Sequence, residues 1–69
     1  MKNKDSDYFR RSIVWNKTKD AEFPFEVYIN QRRVTIRLND FPVETLYTLL
    51  IDNKPVSDFD DWPENWRRP

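Results

Sequence analysis

The sequence contains no cysteine, no histidine and no glycine in its 69 residues. Without cysteine there is no disulfide framework, no thiolate zinc site and no thiol nucleophile. Without histidine there is no imidazole base, no Ser-His-Asp triad and no imidazole metal ligand. Without glycine neither a P-loop nor a dinucleotide fingerprint can be written. Catalysis would fall to Asp, Glu, Lys, Ser or Tyr in a cleft, and a small sheet with short loops offers little room for one. The expectation is a chain that is not an enzyme and uses no cofactor. No run approaches the ~20 apolar residues of a membrane helix. The start, Met1 to Asp7, is polar and lacks the apolar centre of a signal peptide. A soluble cytoplasmic protein with no membrane partner is the simplest reading.

The chain is one small domain, and ordering it costs roughly 100 kcal/mol at about 1.5 kcal/mol per residue. Disulfides and Cys or His metal sites are excluded as aids, so aromatic burial or self-association must serve. Five Phe, three Tyr and three Trp are present, and each buried ring removes about 150–250 Å² from water. Net charge is zero but unevenly spread. Residues 1–37 hold nine Lys/Arg against five Asp/Glu, and residues 38–69 hold three against seven. Such asymmetry marks either an interaction face or complementarity between neighbouring strands, and the second is preferred. Overall neutrality argues against strong nonspecific nucleic-acid binding.

Phe23-Pro24-Phe25-Glu26-Val27-Tyr28-Ile29 alternates with period two, a strand signal. Arg32 to Leu38 alternates as well, placing Val34, Ile36 and Leu38 on one face. A two-residue turn at Asn30-Gln31 pairs Val27 with Val34, Phe25 with Ile36 and Phe23 with Leu38. Every pair is apolar and on one side, and a one-residue slip would destroy that match. Pro24 belongs near the start of its strand or on an open edge. Asn39 to Glu44 is a loop, and Thr45 to Ile51 reads as a strand buried on both faces. Asp52-Asn53 is a good type I′ pair; it sets Leu49 opposite Val56 and Ile51 opposite Lys54. Pro55 puts the last strand, Lys54 to Phe59, on an edge. The turns fall to Asn and Asp, the best substitutes for glycine.

The expected fold is therefore mainly β: a four-stranded antiparallel meander over residues 23–59, with an irregular N-terminal segment and a Trp-containing C-terminal tail. Residues 1–22 form a weakly ordered segment with a disordered start to about Ser6, anchored by Trp15; 8–15 suits a helix or an extended piece. Residues 60–69 are the aromatic tail. Trp62 and Trp66 are four apart, and the preferred reading packs both on the sheet. The other reading makes them an exposed anchor for a partner, since Trp is frequent among interface hot spots. With both rings packed on the sheet, Arg67 and Arg68 would lie outside, near the acids of residues 58–61.

Three surface readings remain. Asp58, Asp60 and Asp61 could offer oxygens to Mg²⁺ or Ca²⁺, but no calcium-loop spacing is met; a solvated acidic edge is preferred and no metal is assigned. Tyr28 with Arg33 and Arg37 forms a small basic-aromatic surface of the kind that binds single-stranded nucleic acid. Against that stands stacking of Tyr28 on Arg33, or pairing of the arginines with acids of a neighbouring strand. The segment from Asp58 through Glu64 presents an acidic surface suited to a basic target.

The runs Asn39-Asp40-Phe41-Pro42, Leu46-Tyr47-Thr48-Leu49 and Phe59-Asp60-Asp61-Trp62-Pro63 resemble a group of short uncharacterised bacterial proteins, mostly cyanobacterial, over about Phe23 to Pro69. That group carries Asp-Gly where this chain has Asp52-Asn53. The resemblance implies a small stand-alone bacterial protein and supplies no catalytic or binding residues. The expected function is a small non-enzymatic protein-binding or regulatory module, with an unknown protein partner or a second copy of itself. The alternatives are a single-stranded nucleic-acid binder and an inhibitor or immunity-type protein with an acidic face. The candidate interaction residues are Tyr28, Arg33, Arg37, Asp58, Asp60, Asp61, Trp62, Glu64 and Trp66.

Overall fold

Both tight turns solve the absence of glycine in the same way. A computed structural model describes residues 5–69. In it Asn30 and Gln31 take φ of 52° and 67°, and Asp52 and Asn53 take 51° and 68°. A two-residue type I′ turn demands positive φ at both central positions. Asn and Asp tolerate this; Gln31 has no such excuse and carries the Cβ penalty in full.

The chain runs α1 (Asp5–Arg10), β1 (Ile13–Val14), β2 (Asn16–Lys17), β3 (Phe25–Ile29), β4 (Arg32–Leu38), β5 (Tyr47–Ile51), β6 (Lys54–Phe59) and β7 (Trp66–Arg67). Strands β3 to β6 form the expected antiparallel meander, and β2 adds a fifth strand beside β3. The first hairpin keeps its predicted register, with Phe25 opposite Ile36 and Val27 opposite Val34. Its far end departs from expectation. The strand starts at Phe25, and the Leu38 N–H donates to the Glu22 carbonyl, so Phe23 and Leu38 are not a ladder pair. Pro24 lies just before the strand, where its missing N–H costs no ladder bond and its carbonyl accepts from Thr18 N–H.

The second hairpin differs more. Ile51 faces Lys54 as expected, but Leu49 faces Ser57 rather than Val56, because a bulge follows Pro55. Counting straight from the turn would put Asp58 opposite Tyr47, on the side of the apolar core. The inserted residue instead sets Phe59 opposite Tyr47 and Asp58 opposite Thr48. One extra residue reverses the facing of everything beyond it. Phe59 thereby joins the core and Asp58 leaves it.

The core lies on one side of the sheet. Val34, Ile36 and Leu49 are fully buried there, with Ile13, Trp15 and Trp66 over them. Trp62 packs against this cluster with Phe9, Phe25, Tyr47 and Phe59. Trp66 stacks on Phe9 at 5.3 Å and meets Trp15 at 5.0 Å and Trp62 at 5.2 Å between ring centres. The aromatic tail is thus part of the core. The Trp66 indole N–H donates to the Tyr8 carbonyl at 2.8 Å and the Trp62 N–H to the Trp66 carbonyl. Trp15, exposed by only 1%, buries its indole N–H with no partner among the described residues. A lost bond of that kind costs about 1–3 kcal/mol, which the packing of the ring outweighs.

The segment expected to be weakly ordered supplies part of this layer. Residues 8–15 are neither wholly helix nor wholly extended: α1 ends at Arg10, and β1 follows. Strand β1 pairs in parallel with β7, Ile13 opposite Trp66, and Trp15 N–H donates to Arg67 O at 3.0 Å. Of the start expected to be disordered to about Ser6, residues 1–4 lie outside the described residues, and Asp5 and Ser6 instead open α1. No helix among the described residues is long and apolar enough to cross a membrane.

Candidate interaction surface

Among the described residues the aromatic cluster and the β1–β7 pair lie on the core side, and no helix or second sheet is laid over the opposite side. Across its strands run Tyr28–Arg33, then Glu26–Thr35–Leu50–Pro55, then Arg37–Thr48–Asp58. Thr35 nevertheless is only 2% exposed. It sits between Glu26 and Leu50 across the strands and between Arg33 and Arg37 along its own, and long side chains of that kind shield a short neighbour with their stems.

The nine residues singled out from sequence do not form one surface. Trp66 is buried in the core and Trp62 half-buried beside it, on the far side of the sheet from Tyr28. Arg68 lies over the Trp62 ring, its guanidinium carbon 4.7 Å from the centroid, rather than against the acids of the 58–61 run. Tyr28 is exposed opposite Arg33. Arg33 Nε donates to Glu26 Oε1 at 2.9 Å, and Arg37 Nε to Glu22 Oε2 at 2.9 Å. Arg33–Glu26 joins neighbouring strands, as expected for these arginines, but both ion pairs lie within residues 1–37 and neither joins the basic half to the acidic half. Among the described residues no ion pair includes an acid of the second half.

Those acids have separate tasks. Asp58 accepts from the Thr48 hydroxyl at 2.7 Å. Asp60 accepts the Leu46 backbone N–H at 2.9 Å, tying β6 to the loop before β5. Asp61 and Glu64 are exposed. Among the described residues no group of three or more acids is placed to hold a metal ion.

The loop between β4 and β5 is a surface the sequence reading passed over. Phe41 is 59% and Val43 89% exposed, and Leu38 at its base is 44% exposed. Between them the Phe41–Pro42 peptide is cis. The loop is closed by its own bonds. Asn39 N–H donates to Leu46 O at 3.0 Å, Glu44 N–H to Asp40 O at 2.7 Å, and Asp40 N–H back to Glu44 Oε1 at 3.1 Å. Its base is pinned again by Asn39 Nδ2, which donates to the Thr48 hydroxyl at 2.7 Å. Apolar side chains at a loop tip between Asp40 and Glu44 were the available signal. The pattern Asp-Phe-Pro-Val-Glu has no period that would bury them.

The same loop walls a cavity of about 400 Å³ on the open side of the sheet, lined by Arg37, Asn39, Glu44, Thr45, Thr48, Leu50, Pro55 and Asp58. Of the nine sequence candidates only Arg37 and Asp58 meet there. Searches of protein-family models, of curated proteins and of solved structures find no match to this chain.

Proposed function

We propose that the chain is a non-enzymatic protein-binding module that docks its partner on the Asn39–Leu46 loop and the adjoining acidic margin of the open face. The observation that carries this is the pairing of exposure with rigidity. Phe41 and Val43 stand in water on a loop held by at least four internal hydrogen bonds. Covering one such side chain removes about 1.5–3 kcal/mol of unfavourable hydration. A loop that is already ordered gives up little freedom on binding. The neighbouring acids favour a partner with a basic rim, which steers approach and suppresses wrong pairings.

The nucleic-acid reading has less support. It keeps the exposed Tyr28, but each of its two arginines is already engaged by a carboxylate. The test is affinity capture with the wild-type chain, a Phe41→Ser/Val43→Ser variant and a Tyr28→Ser variant as bait. Proteins retained by wild type and Tyr28→Ser but released by the double variant support the reading. Equal retention by all three, or retention abolished by nuclease, overturns it.

A further inference from the structure

We infer that the cavity on the open face is a socket for an arginine side chain of the protein partner. This rests on the docking reading above and names the group that the acidic margin receives. The cavity lies beside the Phe41–Val43 tip, because one loop provides both: Asn39, Glu44 and Thr45 to the wall, the apolar residues to the crest.

The charge of the lining decides the class of guest. Arg37 is neutralised by Glu22 at 2.9 Å. Glu44 and Asp58 face the same cavity with no ion pair among the described residues. Glu44 uses one oxygen on Asp40 N–H, and Asp58 uses one on Thr48. Each keeps acceptor capacity on its other oxygen. The guest must be cationic, with donors in more than one direction, since one acid sits on the loop and the other on β6. A planar guanidinium with five N–H groups meets that demand; an ammonium point charge meets it less well. Leu50 and Pro55 supply apolar surface for the aliphatic stem.

The fold also fixes how Asp58 is presented. The bulge in β6 turns its side chain from the core side to this side. The Thr48 hydroxyl has a single proton and donates it to Asp58. Thr48 must then accept from Asn39, which sets Asn39 Nδ2 toward Thr48. The carboxylate is therefore held by an ordered chain of donors before any guest arrives, the condition for a precise site.

The test uses Nα-acetyl-arginine amide, its neutral isostere Nα-acetyl-citrulline amide, and calcium chloride, each titrated into the full chain by ¹H–¹⁵N NMR. The arginine probe is expected to give saturable shifts at Asn39, Glu44, Thr45, Thr48 and Leu50. A Glu44→Gln/Asp58→Asn variant, checked for an unchanged spectrum elsewhere, is expected to weaken that binding at least tenfold. Equal binding of the citrulline probe, equal binding by the variant, the same shifts with calcium, or shifts confined to other residues would overturn the socket. If it fails while Phe41→Ser/Val43→Ser still releases the captured protein, the docking reading stands without it.

Discussion

The two sides of this sheet are built from the same strands and have opposite characters. On one side seven aromatic rings, from Phe9 to Trp66, close over Val34, Ile36 and Leu49. On the other, charged residues stand in register around the buried Thr35, Thr48 and Leu50. The difference shows how a chain this small divides its labour. Most of its large apolar groups are used to make one side dry, which leaves the other side free to carry exposed groups at little risk to the fold.

The comparison can be broken most directly at Trp66. Trp66→Ala removes a buried ring and the bond to Tyr8 O, and should cost about 3–5 kcal/mol or unfold the domain, as urea denaturation would read. A loss under about 1 kcal/mol would mean that the aromatic layer is not what stabilises the sheet. Thr48→Val is the matching test on the open side. It strips the donor from Asp58 and the acceptor from Asn39, and about 1–2 kcal/mol should be lost in the same assay. A penalty equal to that of Trp66→Ala would erase the contrast between the sides. Gln31→Gly belongs to neither side. It relieves a positive φ in a side chain with Cβ and should raise stability by about 1 kcal/mol, giving a firmer background for open-side variants. The smallest effect is expected for Phe41→Ser with Val43→Ser. Stability should stay within about 0.5 kcal/mol of wild type, because these groups are already in water. A larger drop would show that the loop tip serves the core.

Much of the meander was legible because apolar alternation and Asx turns agree. For the first hairpin, parity together with the Asn30-Gln31 turn fixes the pairing of Phe25 with Ile36. Parity failed at Val56, since a bulge breaks the count and leaves no compositional mark. The Asp58–Asp61 run therefore read as one acidic strip, whereas Asp58 bonds a neighbouring strand and Asp60 a loop backbone. Strand β2 is two polar residues with no hydrophobic signal. The union of Ile13 with Trp66 is a long-range pairing that no local window contains. The exposed loop between β4 and β5 was missed for a simpler reason. Pattern reading takes apolar residues as buried, and Phe41 and Val43 are not.

The parallel pairing of β1 with β7 has a temporal consequence. The hydrogen bond from Trp66 to Tyr8 spans 58 positions, and Ile13 gains its strand partner only at Trp66. A chain that has closed both hairpins but not yet docked residues 60–69 lacks this pairing. Until that segment docks, Trp15 and the inner side of the hairpins are uncovered, the condition in which partly folded chains aggregate. Closure of the core thus waits on Trp66, and an intermediate without it is a formed sheet with its apolar side bare.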